Sequence, residues 1–288
     1  MTELNSSPLL IQSLAQVKLP ARNGDSHKGT FGSVAIIGGD AGMVGAVLLA
    51  ARAALHSGVG RVYAAMLSEN APCVDMCQPE IMFRTPRAIT QLPQLDCAVI
   101  GTGLGQSNTA IELLEYWLAQ NIPLLLDADA LNLIASHLHL ASLVISRNAE
   151  TVITPHVGEA ARLLDVSTEH IQKYRTESAL KLAKNLNATC VLKGAGTVCA
   201  HQDGGWFVNT SGNVGLASGG TGDVLSGIIG SFIAQGLTAL NAAKLGVYVH
   251  GAAADALVKK GIGPAGLTAS EVLLEARNII NQLNKNCD

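Results

Sequence analysis

The sequence predicts an α/β fold: a mainly parallel central sheet with helices on both faces. Three observations carry this. Along the 288 residues, short runs that are apolar throughout alternate with longer runs of helical periodicity, the pattern of strands buried on both faces and joined by crossover helices. Hydrophobic residues make up 48% of the chain and charged residues 14%, enough for a large core. Clusters of glycine and aspartate fall where the apolar runs end, at the carboxyl edge where such sheets bind ligands.

Residues 1–20 read as an N-terminal extension and 21–288 as a single domain. Up to residue 30 the chain is polar, apart from an amphipathic turn or two around Leu9, Leu10, Leu14 and Val17. SVAIIGG from Ser33 is a buried strand, GAVLLAARAALHSG a helix closed by a glycine, and VGRVYAAM the next strand. DCAVIG is a third strand, NTAIELLEYWLAQ a helix and IPLLLDAD a fourth strand. TVITP is a short strand followed by a helix through GEAARLL and a longer one over 168–187. ATCVLKG and GTVCAH are strands with a glycine-containing junction, which predicts a hairpin. The last third is helical: DVLSGIIGSFIAQG, LNAAKLGVYVHGAAADALVKKG and TASEVLLEARNIINQL.

A net charge of −3 and an aromatic content of 3% argue against nucleic acid or an acidic membrane as partner. Cys73, Cys77, Cys97, Cys190, Cys199 and Cys287 are scattered; the one close pair lacks a second pair to complete a zinc site, so they read as reduced cytosolic thiols. The first residues lack the basic region of a signal peptide, and no uncharged run has membrane-spanning length. A soluble, cytoplasmic protein is expected.

The segment GNVGLASGGTGDVLSG, 212–227, places six glycines and one carboxylate, Asp223, at the mouth of a helix. Unpaired N–H groups and the dipole at a helix start favour an anion, and glycines let backbone approach it closely. GGTGD is therefore a phosphate cradle, distinct from the P-loop because no GxxxxGK[ST] is present. A carboxylate beside phosphate would repel the ligand unless it works as a general base, taking the proton of a hydroxyl that attacks phosphorus. The plain alternative is a helix cap. In TPHVGEAARLL, 154–164, Pro155 and Gly158 break the backbone and set His156 and Glu159 at a helix start. Read alone, Glu159 complements the dipole and His156 is a surface residue. In KGAGT, 193–197, the glycines suit a hairpin, and Lys193 contacts either a phosphate or only water. GTGLG at 101 suggests a dinucleotide fingerprint, but Gln106 stands where its last glycine belongs, so a nicotinamide dehydrogenase is a weak match.

Together, TPHVGEAARLL and GGTGDVLSG resemble the TPNxxE and GAGD elements of the ribokinase superfamily, with His156 in place of asparagine and Thr221 in place of alanine. Those departures are similar to one branch, the ADP- or ATP-dependent NAD(P)H-hydrate dehydratases. That family's landmarks follow in order: SHKGTFG at 26, GGDAGMVGA at 38, GTGLG at 101, LDADALN at 126, TPHVGE at 154, LKGAGT at 192 and GNVGLASGGTGD at 212. The resemblance implies a ribokinase-like fold and repair of hydrated NADH or NADPH, by phosphorylation of the C6 hydroxyl and departure of phosphate.

It also implies roles. Lys193, Gly194, Ala195, Gly196 and Thr197, with Gly219, Gly220, Thr221 and Gly222, bind the nucleotide. Ala46, Gly103 and His156 contact the hydrated cofactor, and Asp223 activates its hydroxyl. Mg2+ sits at the phosphates with Glu159 organising it, through water or directly; ADP is the expected donor, with ATP the other choice. A homo-oligomer, a tetramer, is expected, with an epimerase on a separate chain as functional partner. A small-molecule hydroxyl kinase of the ribokinase superfamily is the alternative, and a nucleotide sensor without turnover a third reading.

Overall fold

The structure, a computed structural model, describes residues 13–14 and 17–285. Leu9 and Leu10 of the expected amphipathic turn, and Cys287, lie outside the described residues, whereas Leu14 and Val17 pack against the core. Among the described residues nine strands form one sheet: β1 Ser33–Gly38, β2 Arg61–Met66, β3 Met82–Arg84, β4 Cys97–Ile100, β5 Leu124–Leu126, β6 Thr151–Ile153, β7 Thr189–Leu192, β8 Val198–Ala200 and β9 Trp206–Val208. Their spatial order is β3-β2-β1-β4-β5-β6-β7-β8-β9. Pairing is parallel from β3 through β7, with Ile36 level with Ala64 on one side and Val99 on the other. The expected hairpin supplies the antiparallel end, β7–β8, and β9 extends it.

Alternate residues of each strand enter separate cores, as the pleat requires. Val34, Ile36, Val99 and Leu125 face α1 (Val44–His56), α9 (Thr221–Ala234), α10 (Ala239–Lys259) and α11 (Ala269–Lys285). Ala35, Ile37, Ile100 and Leu126 face α2 (Pro86–Ile89), α3 (Asn108–Leu118), α4 (Asp129–Ser136), α5 (Leu138–Ile145), α6 (Val157–Leu164), α7 (Thr168–Lys173) and α8 (Arg175–Asn185). From β1 the chain winds outward to β3, then returns to β4 and builds the other way, so the switch of direction lies between β1 and β4. Among the described residues no helix is long and apolar enough to cross a membrane.

Two glycines of α9 serve packing. A Cβ on Gly227 would lie 2.1 Å from the Ala50 carbonyl oxygen of α1, and one on Gly230 would lie 2.3 Å from a Val99 methyl of β4. The single helix expected over 168–187 is two, α7 and α8, broken at Tyr174 (φ −122°, ψ 51°). The break lets Arg175 turn under the β7–β8 junction, where its guanidinium donates to the carbonyls of Leu192, Lys193 and Gly196 at 3.1–3.3 Å.

Candidate active site

The carboxyl ends of β1, β4, β5, β6 and β7 and the start of α9 converge on one region. The cradle comes first. Gly220 adopts φ 86°, a left-handed backbone that glycine takes without strain, and hands the chain into α9. The Thr221 hydroxyl turns back into the loop, donating to the carbonyls of Leu216 and Ser218 at 2.8 and 2.9 Å. Further upstream, both oxygens of Asp255 on α10 anchor the loop, accepting from the Gly212 N–H at 2.8 Å and the Asn213 amide at 2.9 Å. The cradle surface is left open: a Cβ on Gly219 would meet nothing within 4 Å, and one on Gly222 only the Lys193 Nζ at 3.5 Å. In the first turn of α9 the Gly222 and Asp223 N–H groups have no acceptor within the helix, so they are available to an anion.

Asp223 sits in that turn, largely buried. Burial, then the charges of Asp127 and Asp129, push its carboxyl up to about 7, against the pull of Lys193. A carboxylate so placed titrates at neutral pH. His250 of α10 lies beneath the cradle, hydrogen bonded to the Thr221 backbone; burial pushes it down to about 4, so it is neutral.

Lys193 has a partner that the sequence reading did not give it. Its ammonium lies 2.7 Å from Asp127 Oδ1, with Glu159 Oε2 at 4.0 Å. Asp127, at the end of β5, is 1% exposed. Its Oδ1 also accepts from the Ala128 N–H at 2.8 Å, and its Oδ2 accepts from the Ser226 hydroxyl at 2.7 Å. Burial depresses the Lys193 ammonium, but Asp127, Glu159 and Asp223 outweigh it and hold it above its ordinary value.

His156 and Glu159 form a capping box at the start of α6. His156 Nδ1 accepts from the N–H groups of Gly158 and Glu159 at 2.9 and 3.2 Å, and Glu159 Oε2 accepts from the His156 N–H at 2.7 Å. With Nδ1 an acceptor, the ring proton is on Nε2, which faces Glu159 Oε1 at 3.2 Å. Burial, then Lys193 and Arg162, lower the His156 imidazole, favouring this neutral form. The ring is over half exposed, while Glu159 is buried, and burial raises its carboxyl. Each Glu159 oxygen thus has one partner, and the carboxylate keeps further acceptor capacity on both. Among the described residues no three His, Cys, Asp or Glu side chains could hold a metal ion.

Ala46 and Gly103 meet at the switch point. Gly103 has φ 60°, and a Cβ there would fall 2.7 Å from Met43 Cβ and 3.3 Å from Ala46 Cβ. The loops after β1 and β4 are zipped together by the Gly39 N–H to Thr102 and the Asp40 N–H to Gly103, at 3.0 and 2.7 Å. The Gly105 N–H donates to Asp129 Oδ2 at 2.9 Å, linking this pair to the carboxylate cluster. Gly194, Ala195 and Gly196 are exposed at the β7–β8 junction, where the Thr197 hydroxyl donates to the Gly194 carbonyl at 2.9 Å.

Asp127, Asp129 and Ser226 received no role from the sequence alone. The LDADALN stretch closing an apolar strand was the available signal for the two aspartates; nothing local marked Ser226.

A family profile described as NAD(P)H-hydrate dehydratase matches residues 34–275. An ADP-dependent (S)-NAD(P)H-hydrate dehydratase of Neisseria meningitidis is 42% identical over 269 residues, covering 92% of this chain and 90% of that protein. A bifunctional NAD(P)H-hydrate repair enzyme of Coxiella burnetii is 41% identical over 91% of this chain, which spans 53% of that longer protein. The crystal structure of the ADP/ATP-dependent NAD(P)H-hydrate dehydratase from Bacillus subtilis, co-crystallised with ATP and Mg2+, superposes with a TM-score of 0.85 at 31% identity, covering 97% of this chain and 99% of that one. The architecture is ribokinase-like, as the motifs implied.

Proposed function

The chain belongs to the NAD(P)H-hydrate dehydratase family, and from that premise we propose how its residues carry out nucleotide-dependent dehydration of hydrated NADH or NADPH. It is a carbon–oxygen lyase of NAD(P)H-hydrate repair, and a kinase releasing a stable phosphorylated product is not favoured. One observation carries the mechanism: a largely buried carboxylate, Asp223, held up to about 7 in the first turn of a glycine-opened helix.

The substrate's C6 hydroxyl lies against Asp223, which takes its proton as the oxygen attacks the terminal phosphorus of the donor. The new O–P bond forms as the bond from phosphorus to the bridging oxygen breaks, and ADP leaves as AMP. Hydroxide is a poor leaving group and phosphate a good one. The ring nitrogen then expels phosphate from C6, a proton passes from C5 to water, and the C5–C6 double bond of the reduced nicotinamide returns. In this reading the cradle N–H groups and the backbone of 193–197 bind the donor, with Lys193 beside them. Ala46 and Gly103 line the substrate side, and the His156 ring borders it, with its Nε2–H facing Glu159 Oε1.

Mg2+ would be carried on the phosphates and water, with Glu159 as the residue that would organise it, and would neutralise charge on the transferring group. ADP is the proposed donor, ATP the second choice. We also propose a single domain over 21–288, a homotetramer, a cytoplasmic location and an epimerase as functional partner. The test mixes the protein with hydrated NADH, Mg2+ and either nucleotide. Recovery of the reduced-nicotinamide absorbance with stoichiometric phosphate release is expected; accumulation of a stable phosphorylated adduct would refute the lyase.

A further inference from the structure

We propose that Asp127 is a positioning residue for this reaction: with Ser226 it seats the Lys193 ammonium against Gly222, at the edge of the cradle where the transferred phosphoryl group passes. The proposal rests on the reading above and assigns a task to two side chains that the reading leaves idle.

Every hydrogen bond of Asp127 is spent locally. Lys193 and the Ala128 N–H occupy Oδ1, and Ser226 occupies Oδ2, in a setting with 1% exposure. A buried ion pair of this kind adds little stability relative to an apolar filling, so stability alone does not account for it. The backbone beside it is strained as well. Ala128 takes φ 49° and ψ −115°, a conformation that side-chain-bearing residues avoid and that is found where function requires it.

The geometry links three elements through one carboxylate. Ser226 is one helical turn beyond Gly222 on α9, Lys193 closes β7, and Asp127 closes β5. Asp127 therefore fixes the height of the lysine relative to the first turn of α9, where a Cβ on Gly222 would lie 3.5 Å from the Lys193 Nζ. An ammonium has three N–H donors. Asp127 takes one, and Glu159 at 4.0 Å is too distant for a hydrogen bond, so donors remain for an anionic phosphoryl oxygen on the open side. Without Asp127 the four-carbon stem would let the charge wander toward Glu159 or Asp223.

The test is a double-mutant cycle with Asp127→Asn, Lys193→Met and the pair, read in turnover of hydrated NADH and in calorimetric titration with ADP alone. Each single variant is expected to lower kcat by about 10²-fold, the scale of losing one charge-stabilising donor. The pair should be no worse than the poorer single, since residues acting through one another are not additive. The ADP titration should show the same non-additivity, and it needs no dehydration. Inactive wild-type enzyme with a coupled ADP cycle would therefore refute the function and keep the seat. Losses that add in both readouts, or that follow thermal unfolding while kcat stays normal, would overturn the seat. Should Asp127→Asn fail to fold, Ser226→Ala replaces it in the same cycle, with a smaller loss expected and additivity again decisive.

Discussion

Replacing Asp223 with asparagine should make the enzyme both slower and more stable, and the two effects share a cause. The carboxyl is held up to about 7 from an ordinary 3.8, first by burial and then by Asp127 and Asp129. A folded-state value above the unfolded one means that the fold prefers the protonated acid. Below 3.8 no cost arises; as pH rises from there through 7, the folded state loses ground. Above 7 the loss levels off at about 4 kcal/mol, taken as about 1.36 kcal/mol per unit and as an upper bound for a group that water still reaches. Asparagine carries no such cost. Asp223→Asn should therefore unfold several degrees above wild type at about pH 8, and by much less at about pH 4.5, where most of the cost has not yet developed. In the same variant kcat should fall by at least ~10², the contribution of a positioned general base. ADP affinity should be preserved, since the N–H groups of the cradle remain and a repelling charge is gone. Differential scanning calorimetry at the two pH values, turnover of hydrated NADH and titration with ADP measure all three. A variant that turns over within a few-fold of wild type would reduce Asp223 to a cap. One destabilised at about pH 8 would refute the burial argument itself.

The acid limb of kcat/KM should follow the same group, half-maximal near 7 and falling about tenfold per unit below it, a slope that a pH profile checks; a flat profile between about pH 5 and 8 would remove Asp223 as base. Gly222→Val should abolish nucleotide binding without unfolding the protein, because the branched side chain fills the open cradle beside Lys193; calorimetry with ADP and a thermal melt read both. His156→Ala should raise KM for the hydrated cofactor much more than KM for ADP, with kcat nearly unchanged, as for loss of a ground-state contact. It should also cost about 1 kcal/mol of stability, because the same ring caps α6. His156→Asn, which restores a cap but not the ring, separates the two effects: stability recovers and KM does not.

What the sequence made legible follows from range. SVAIIG and CAVI are apolar at every position, and a strand buried on both faces needs nothing more to be recognised. The glycines and Asp223 of the cradle lie within a few residues of one another, so a local pattern suffices. β3 and β9 leave no apolar run to read, because each is three residues long and none of their residues is buried. The helices α4 and α5 are hard to read because the apolar residues of LNLIASHLHLASLVI fall on every side and blur helical periodicity. The break at Tyr174 has no proline or glycine to announce it. Lys193 and Asp127 are 66 positions apart, and Ser226 is 99 from Asp127; only the folded sheet brings them together. His156 was legible as a residue at a helix start, but its tautomer was not. With Nδ1 accepting from the helix and Nε2 facing Glu159 Oε1, a donor is all the ring has left to offer.

The contact between Gly227 and Ala50 fixes how closely α1 and α9 approach. Ala50 lies one turn beyond Ala46 on α1, and Gly227 one turn beyond Asp223 on α9. The two helices touch backbone to side-chain-less backbone one turn from Ala46 and Asp223, the residues proposed to face the substrate and its hydroxyl. Like the rivet of a pair of tongs, this point sets the gap at the tips. A single methyl added there, Gly227→Ala, has no space at 2.1 Å from the carbonyl oxygen, so the helices must spread and the gap widen with them. The separation between Ala46 and Asp223, the proposed substrate seat and proposed base, is thus set by an atom the chain does not have.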